Sequence, residues 1–225
     1  MQLSGPKEHT ARGFTLIELL IAMAVGLVIM GALYSFFVTQ KKMYDVQAQV
    51  AEMQQNAQAA MDIMIREIRM AGYDPVNTPK LGTIVTAAAD RIRFTVNVTR
   101  TDTTTTALDS PDEDVLDPGE DITYYIETLS TGTKQLVRVA RERLSANSAS
   151  AFRTSPVAEN IESVTFTYHK ADGTSATAIA DIREIRITLI ARTALPDPTY
   201  TDPVKNDHYH RYALTAQVMP RNLLF

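Results

Sequence analysis

Glu18 is the residue whose surroundings impose the most chemistry. It is the one charged position in an apolar segment at 14–38, where Thr15, Tyr34 and Ser35 are the only other polar groups. An ionised carboxylate in hydrocarbon is costly and needs a partner, so a functional role is its default reading. Two other groupings carry ligand chemistry. Residues 109–121 hold seven carboxylates and no base. Hard oxygen donors at that density suit Ca²⁺, with Asp112, Asp114 and Asp117 as candidate ligands. The spacing departs from the EF-hand pattern and prolines interrupt it, so a solvated acidic loop is the plainer reading. His208-Tyr209-His210 puts two imidazoles on one face of a possible strand. A metal would need a third ligand, His169 or Asp207, and histidines in a loop beside a sheet are the plainer reading. The chain has no cysteine nucleophile, no Gly-x-Ser-x-Gly, no phosphate-cradling glycine loop and no HExxH. Catalysis is therefore not expected, nor is any cofactor.

The segment at 14–38 is long enough to cross a hydrocarbon core, which takes about 20 helical residues. No small-x-small cleavage site follows it in a polar setting, so it is expected to remain in the mature chain. The apolar run passes without a break into an amphipathic pattern. Met43, Val46, Val50, Met53, Ala57, Ala60, Met61, Met64, Ile65 and Ile68 recur at three- and four-residue intervals. No proline occurs between Phe14 and Asp74, and Gly72 with Asp74-Pro75 supplies a stop. One helix is predicted over 14–71, roughly 85 Å long at 1.5 Å per residue. Its first half spans the membrane and its second half is half-buried.

Strands are predicted where residues alternate: 91–98, 121–126, 135–140, 163–168, 184–189 and 211–218. Gly132 and Asp172-Gly173 mark hairpin turns. Residues 99–120 and 194–207, with their prolines, read as exposed loops. The fold class is α+β: a long N-terminal helix whose amphipathic half is covered by an antiparallel sheet with one wet face.

Gly13-Phe14-Thr15-Leu16-Ile17-Glu18, after a short polar stretch containing Lys7 and Arg12, resembles the processing motif of type IV prepilins and pseudopilins. The resemblance implies a leader at 1–13, cut after Gly13 by a membrane aspartyl prepilin peptidase, and N-methylation of Phe14. It also implies a role for Glu18 in subunit assembly. The residue types suit this. Glycine lets a protease approach the backbone closely. Cleavage leaves a charged amine on Phe14, about one helical turn from Glu18. In a filament that carboxylate could pair with the amine of a neighbouring subunit, offsetting its desolvation. A plain single-span anchor, with Glu18 reaching to the headgroups, is the alternative.

Gln55-Asn56, Met61-Asp62, the stretch Arg66-Glu67-Ile68-Arg69-Met70-Ala71-Gly72-Tyr73 and the terminal Arg221-Asn222-Leu223 resemble PilW-type minor pilins. The J-type pseudopilin of type II secretion is the close alternative. The first resemblance implies a structural subunit that primes pilus assembly at or near the filament tip. Its partners would be other minor pilins, the major pilin, the inner-membrane assembly platform and a tip adhesin. It further implies an inner-membrane, single-pass protein with a periplasmic head, carried to the cell surface on assembly. The expected organisation is leader 1–13, transmembrane half 14–38, amphipathic half 39–72 and a β-rich head 73–225. A membrane-anchored binding or sensory head is the alternative of a different class.

Composition bounds these readings. Net charge is −4 and no basic patch is present, so nucleic acid is not an expected partner. With no cysteine, export to an oxidising compartment is compatible, but no disulfide can staple the fold. Many pilins close a loop near the C-terminus with one; this chain cannot.

Overall fold

The computed structural model describes residues 13–74, 83–97, 119–142 and 151–223. The chain divides after Gln47 into two compact units, with the long helix α1 (Leu16–Arg69) running through the boundary. In the first unit α1 is solvent-exposed along its apolar length, from Leu16 at 77% to Phe37 at 66%. It is the one described helix long and apolar enough to cross a membrane, an 18-residue stretch of it having a mean hydropathy of 2.5. Glycine at 26 and 31 does not break it, and neither position would bring an added Cβ against other atoms.

In the second unit α1 turns one stripe inward. Met53, Ala57, Ala60, Met61, Met64 and Ile68 are buried at helical spacing. Ala57 and Ala60 have no exposed surface, and their small size lets strands approach the helix closely. The amphipathic stripe predicted from Met43 onward begins later: Met43 stays 52% exposed, Val46 and Val50 are half-buried, and full burial starts at Met53. The pattern is right in period, but strand cover reaches only the later turns. The helix ends at Arg69, slightly short of the expected 71, and a turn closes it at Gly72, whose φ of +81° is a left-handed conformation that glycine adopts without a Cβ clash. Gly72 N–H donates to Thr95 O at 3.2 Å and Asn97 N–H to Tyr73 O at 2.6 Å, so the chain leaving the helix is paired at once with the sheet.

Among the described residues eight strands follow: β1 (Ile84–Ala87), β2 (Arg91–Thr95), β3 (Asp121–Thr128), β4 (Lys134–Glu142), β5 (Ala151–Glu159), β6 (Ile161–His169), β7 (Glu184–Arg192) and β8 (Arg211–Val218). They form two antiparallel sheets, β1-β2-β3-β4-β5 and β6-β7-β8. The expected antiparallel β head is present, divided over two sheets. The break is a single residue: Asn160, with φ of +58°, ends β5 and starts β6. Asparagine tolerates that conformation better than other side chains. Each of the six predicted strands is present, although β2 ends at Thr95 where a strand over 91–98 was expected, and Val98 lies outside the described residues. β1 and β5 were not predicted, because β1 has four residues and β5 lacks alternation and carries Pro156. Proline is admissible there because β5 is an edge strand.

Helix and both sheets share one core. Ile92 and Phe94 of β2, Tyr124 of β3, Leu136 of β4, Phe166 of β6 and Ile185, Ile187 and Leu189 of β7 are buried with the α1 stripe. β7 alternates half-buried and buried without exception, as a strand with one core face must. Gly132 turns β3 into β4 at φ +79° as predicted. Gly173 also turns the chain, but into a bridge between His169 and Ser175 and a short 3-10 helix, Ile179–Asp181, before β7 begins. Residues 194–207 carry no strand or helix, as their prolines predicted.

Candidate functional site

Around Glu18 the backbone is exposed and the sequence is locally self-organising. Gly13 has nothing within 4 Å of where a Cβ would sit, and Phe14 is 91% exposed. Thr15 caps α1: Glu18 N–H donates to Thr15 Oγ1 at 3.3 Å. Reciprocally, Thr15 N–H and Thr15 Oγ1 donate to Glu18 Oε2 at 2.9 and 2.8 Å. This is a capping box, two otherwise orphaned amides satisfied by each other's side chains. Thr15 is a residue the sequence reading missed, although the Thr-x-x-Glu signal was legible. Both bonds to the carboxylate use Oε2, so Oε1 stands free of the cap. The 13–14 peptide bond thus lies just ahead of a fixed helix start, with the carboxylate one turn away.

At the other end of α1, Glu67 reaches into the head. It accepts from Tyr124 Oη at 2.5 Å and from Arg138 Nε at 2.9 and 3.0 Å. Burial, then the neighbouring Glu67 charge, raises the Tyr124 phenol well above its ordinary range, so it stays a neutral donor. Burial works to lower the Arg138 pKa, but the Glu67 hydrogen bond and charge prevail and raise it. Asn222, in the closing 3-10 helix Arg221–Leu223, donates to Met70 O at 3.4 Å. The two stretches that carried the finer resemblance therefore touch each other at the helix end.

The candidate calcium ligands Asp112, Asp114 and Asp117 lie outside the described residues. Two of the seven carboxylates of that run are described, and both are turned into the fold. Glu120 is buried, and Asp121 has a fully buried side chain held bidentately by Arg93 of β2 at 2.8 and 2.6 Å. The run contains no base, but pairing β2 with β3 brings one across the ladder.

The histidines staple a loop. Residues 208–210 are irregular, not strand. His210 Nε2 is 3.0 Å from Asp197 Oδ2 and its ring stacks on Tyr200 at 3.9 Å, while His208 Nδ1 lies 2.5 Å from Tyr200 O. His169 contacts Thr167 and Gly173 O. Among the described residues no three histidine, aspartate or glutamate side chains gather to hold a metal. Arg211, which sequence reading also missed, is the hub of the same loop. It meets Glu162 at 2.6 Å, Asp207 at 2.6 Å and Asp202 at 3.1 Å. No local pattern marks it, since Glu162 lies on another strand.

A family model described as the prokaryotic N-terminal methylation motif matches residues 9–34. No curated protein matches the chain. The motif, with a membrane-competent helix and two antiparallel sheets behind it, indicates a type IV pilin-like protein of the pilus or pseudopilus kind.

Proposed function

We propose that this type IV pilin-like chain is a minor pilin: a structural subunit, not a catalyst, that primes type IV pilus assembly at or near the filament tip. The observation that carries the reading is the methylation motif at 9–34 standing directly on an exposed apolar helix. Prepilin peptidase cuts after Gly13 and Phe14 is methylated. Glu18 is the assembly carboxylate, and its Oε1, uncommitted in the cap, accepts the charged amine of a neighbouring subunit. Segment 14–38 holds the chain in the inner membrane with the head in the periplasm. On assembly the same segment packs against other minor pilins and the major pilin. Small residues such as Ala22, Ala24, Gly26 and Gly31 allow that close approach. The platform in the inner membrane and a tip adhesin are the remaining partners. The choice of the PilW-type over the J-type pseudopilin rests on the resemblance of the stretches at 66–73 and 221–223, which meet where Asn222 donates to Met70 O.

Intact mass and N-terminal sequencing of protein from its native membrane test the processing. Loss of residues 1–13 with a methylated Phe14 is expected. An uncut chain overturns the reading in favour of an anchored binding or sensory head. Immunogold labelling of purified pili tests the position. Sparse label at tips is expected, and label confined to a secretion apparatus would transfer the chain to the pseudopilins.

A further inference from the structure

Four strand edges border the two sheets, and three of them are blunted. β1 has four residues and a bulge against β2. β5 carries Pro156 and a bulge beside it, Val157 being skipped in the pairing with β4. The outer edge of β6 is already used: Phe166 N–H donates to Ala89 O at 2.9 Å, Ala176 N–H to Tyr168 O at 2.9 Å, and Lys134 Nζ to Glu162 O at 3.4 Å. β8 has none of these devices. It runs eight residues in unbroken register with β7, without proline or bulge. Natural sheets avoid such an edge unless it pairs with something.

The register says which groups of β8 have no partner among the described residues. Thr193 N–H donates to His210 O, so the 193–210 pair is hydrogen-bonded and the pairing alternates from there. Tyr212, Leu214, Ala216 and Val218 face β7 with their backbone groups. Ala213, Thr215 and Gln217 direct theirs away from β7, and all three residues are exposed. No charge lies between Tyr212 and Val218, and Arg211 at the strand's start is neutralised by Glu162, Asp202 and Asp207.

We infer that β8 is a docking edge that accepts one extended strand from a neighbouring filament subunit, an inference that rests on the filament reading above. Main-chain hydrogen bonds to Ala213, Thr215 and Gln217 supply the contact, as in other strand additions. The pleat dictates the incoming chemistry. Apolar side chains continue the half-buried face of Tyr212, Leu214 and Ala216, and small uncharged ones lie beside Ala213, Thr215 and Gln217. An acidic or lysine-rich strand does not match this uncharged edge.

Hydrogen exchange of the full chain, read at single residues, tests this in native membranes bearing filaments against the lone subunit in detergent. The amides of Ala213, Thr215 and Gln217 are expected to exchange at least tenfold more slowly in the native setting. Ala213→Pro deletes an outward donor while keeping the β7 ladder, and is expected to cut incorporation about tenfold at unchanged Tm. Should that variant fold poorly, Thr215→Lys, a charge on the edge, carries the same expectation. Equal exchange in both settings, or normal incorporation of a folded variant, overturns the proposal. A concentration-dependent homodimer in detergent with those amides protected overturns the assignment of the occupant. Protection in membranes from cells whose filaments lack the protein keeps the edge pairing and overturns the filament reading instead.

Discussion

Glu67 and Tyr124 stand 57 positions apart in the chain and share a hydrogen bond of 2.5 Å, with Arg138 completing the group. The contact locks the last turn of α1 to β3 and β4. Tyr124 has no exposed surface, so its hydroxyl has no water to fall back on. Glu67→Ala is expected to destabilise the head by about 1–3 kcal/mol, the desolvation cost of an orphaned buried donor. Tyr124→Phe removes the donor instead and should cost about 1 kcal/mol. Denaturant midpoints of the two variants check the order, and an equal loss for both would contradict it.

Glu18 has two roles to separate, cap and charge. Glu18→Gln can still reach back to the Thr15 amide but brings no charge. Thr15→Ala removes the cap hydroxyl and keeps the charge. If charge pairing drives assembly, Glu18→Gln is as deficient in filament incorporation as Glu18→Ala, and Thr15→Ala is close to wild type. Rescue by glutamine would show that capping is what matters.

The Arg93–Asp121 pair is a second place where one side chain cannot be spared. Asp121 is wholly buried and Arg93 provides both of its charge-assisted hydrogen bonds. Arg93→Met leaves an uncompensated buried carboxylate, expected to cost about 3–5 kcal/mol. The double variant Arg93→Met with Asp121→Leu should recover most of that loss. A thermal-unfolding cycle over the four proteins measures it.

Acid should loosen loop 193–210 first. His210 and two Thr199 hydrogen bonds hold the Asp197 carboxyl at about 2, and Arg211 holds Asp207 at about 2. Both lie below the ordinary aspartate value of about 3.9. A depressed folded-state pKa gives stability that is fully present above the unfolded value and lost as pH falls toward the folded one. The Tm should therefore drop between about pH 4 and pH 2, and Asp207→Asn should flatten part of that drop. An Asp207→Asn profile parallel to wild type would falsify the assignment.

What the sequence determined by itself was local and periodic. The glycine stop at Gly72 and the Thr-x-x-Glu signal of the Thr15–Glu18 box, legible though missed, depend on residues within a turn of one another. The long helix and the six alternating strands follow from fixed repeats of 3.6 and 2 residues. Tertiary structure alone decided everything that required choosing a partner. β5 forms although Pro156 spoils its pattern, because β4 offers an edge. The split into two sheets hangs on the backbone of Asn160, which only packing on α1 on both sides makes worthwhile. Glu67, Asp121 and Arg211 read as ordinary surface charges until strands 28 to 71 residues away bring Tyr124, Arg138, Arg93 and Glu162 beside them. The physical reason is that a charge's worth depends on what replaces its water, and replacement comes from the fold, not from sequence neighbours.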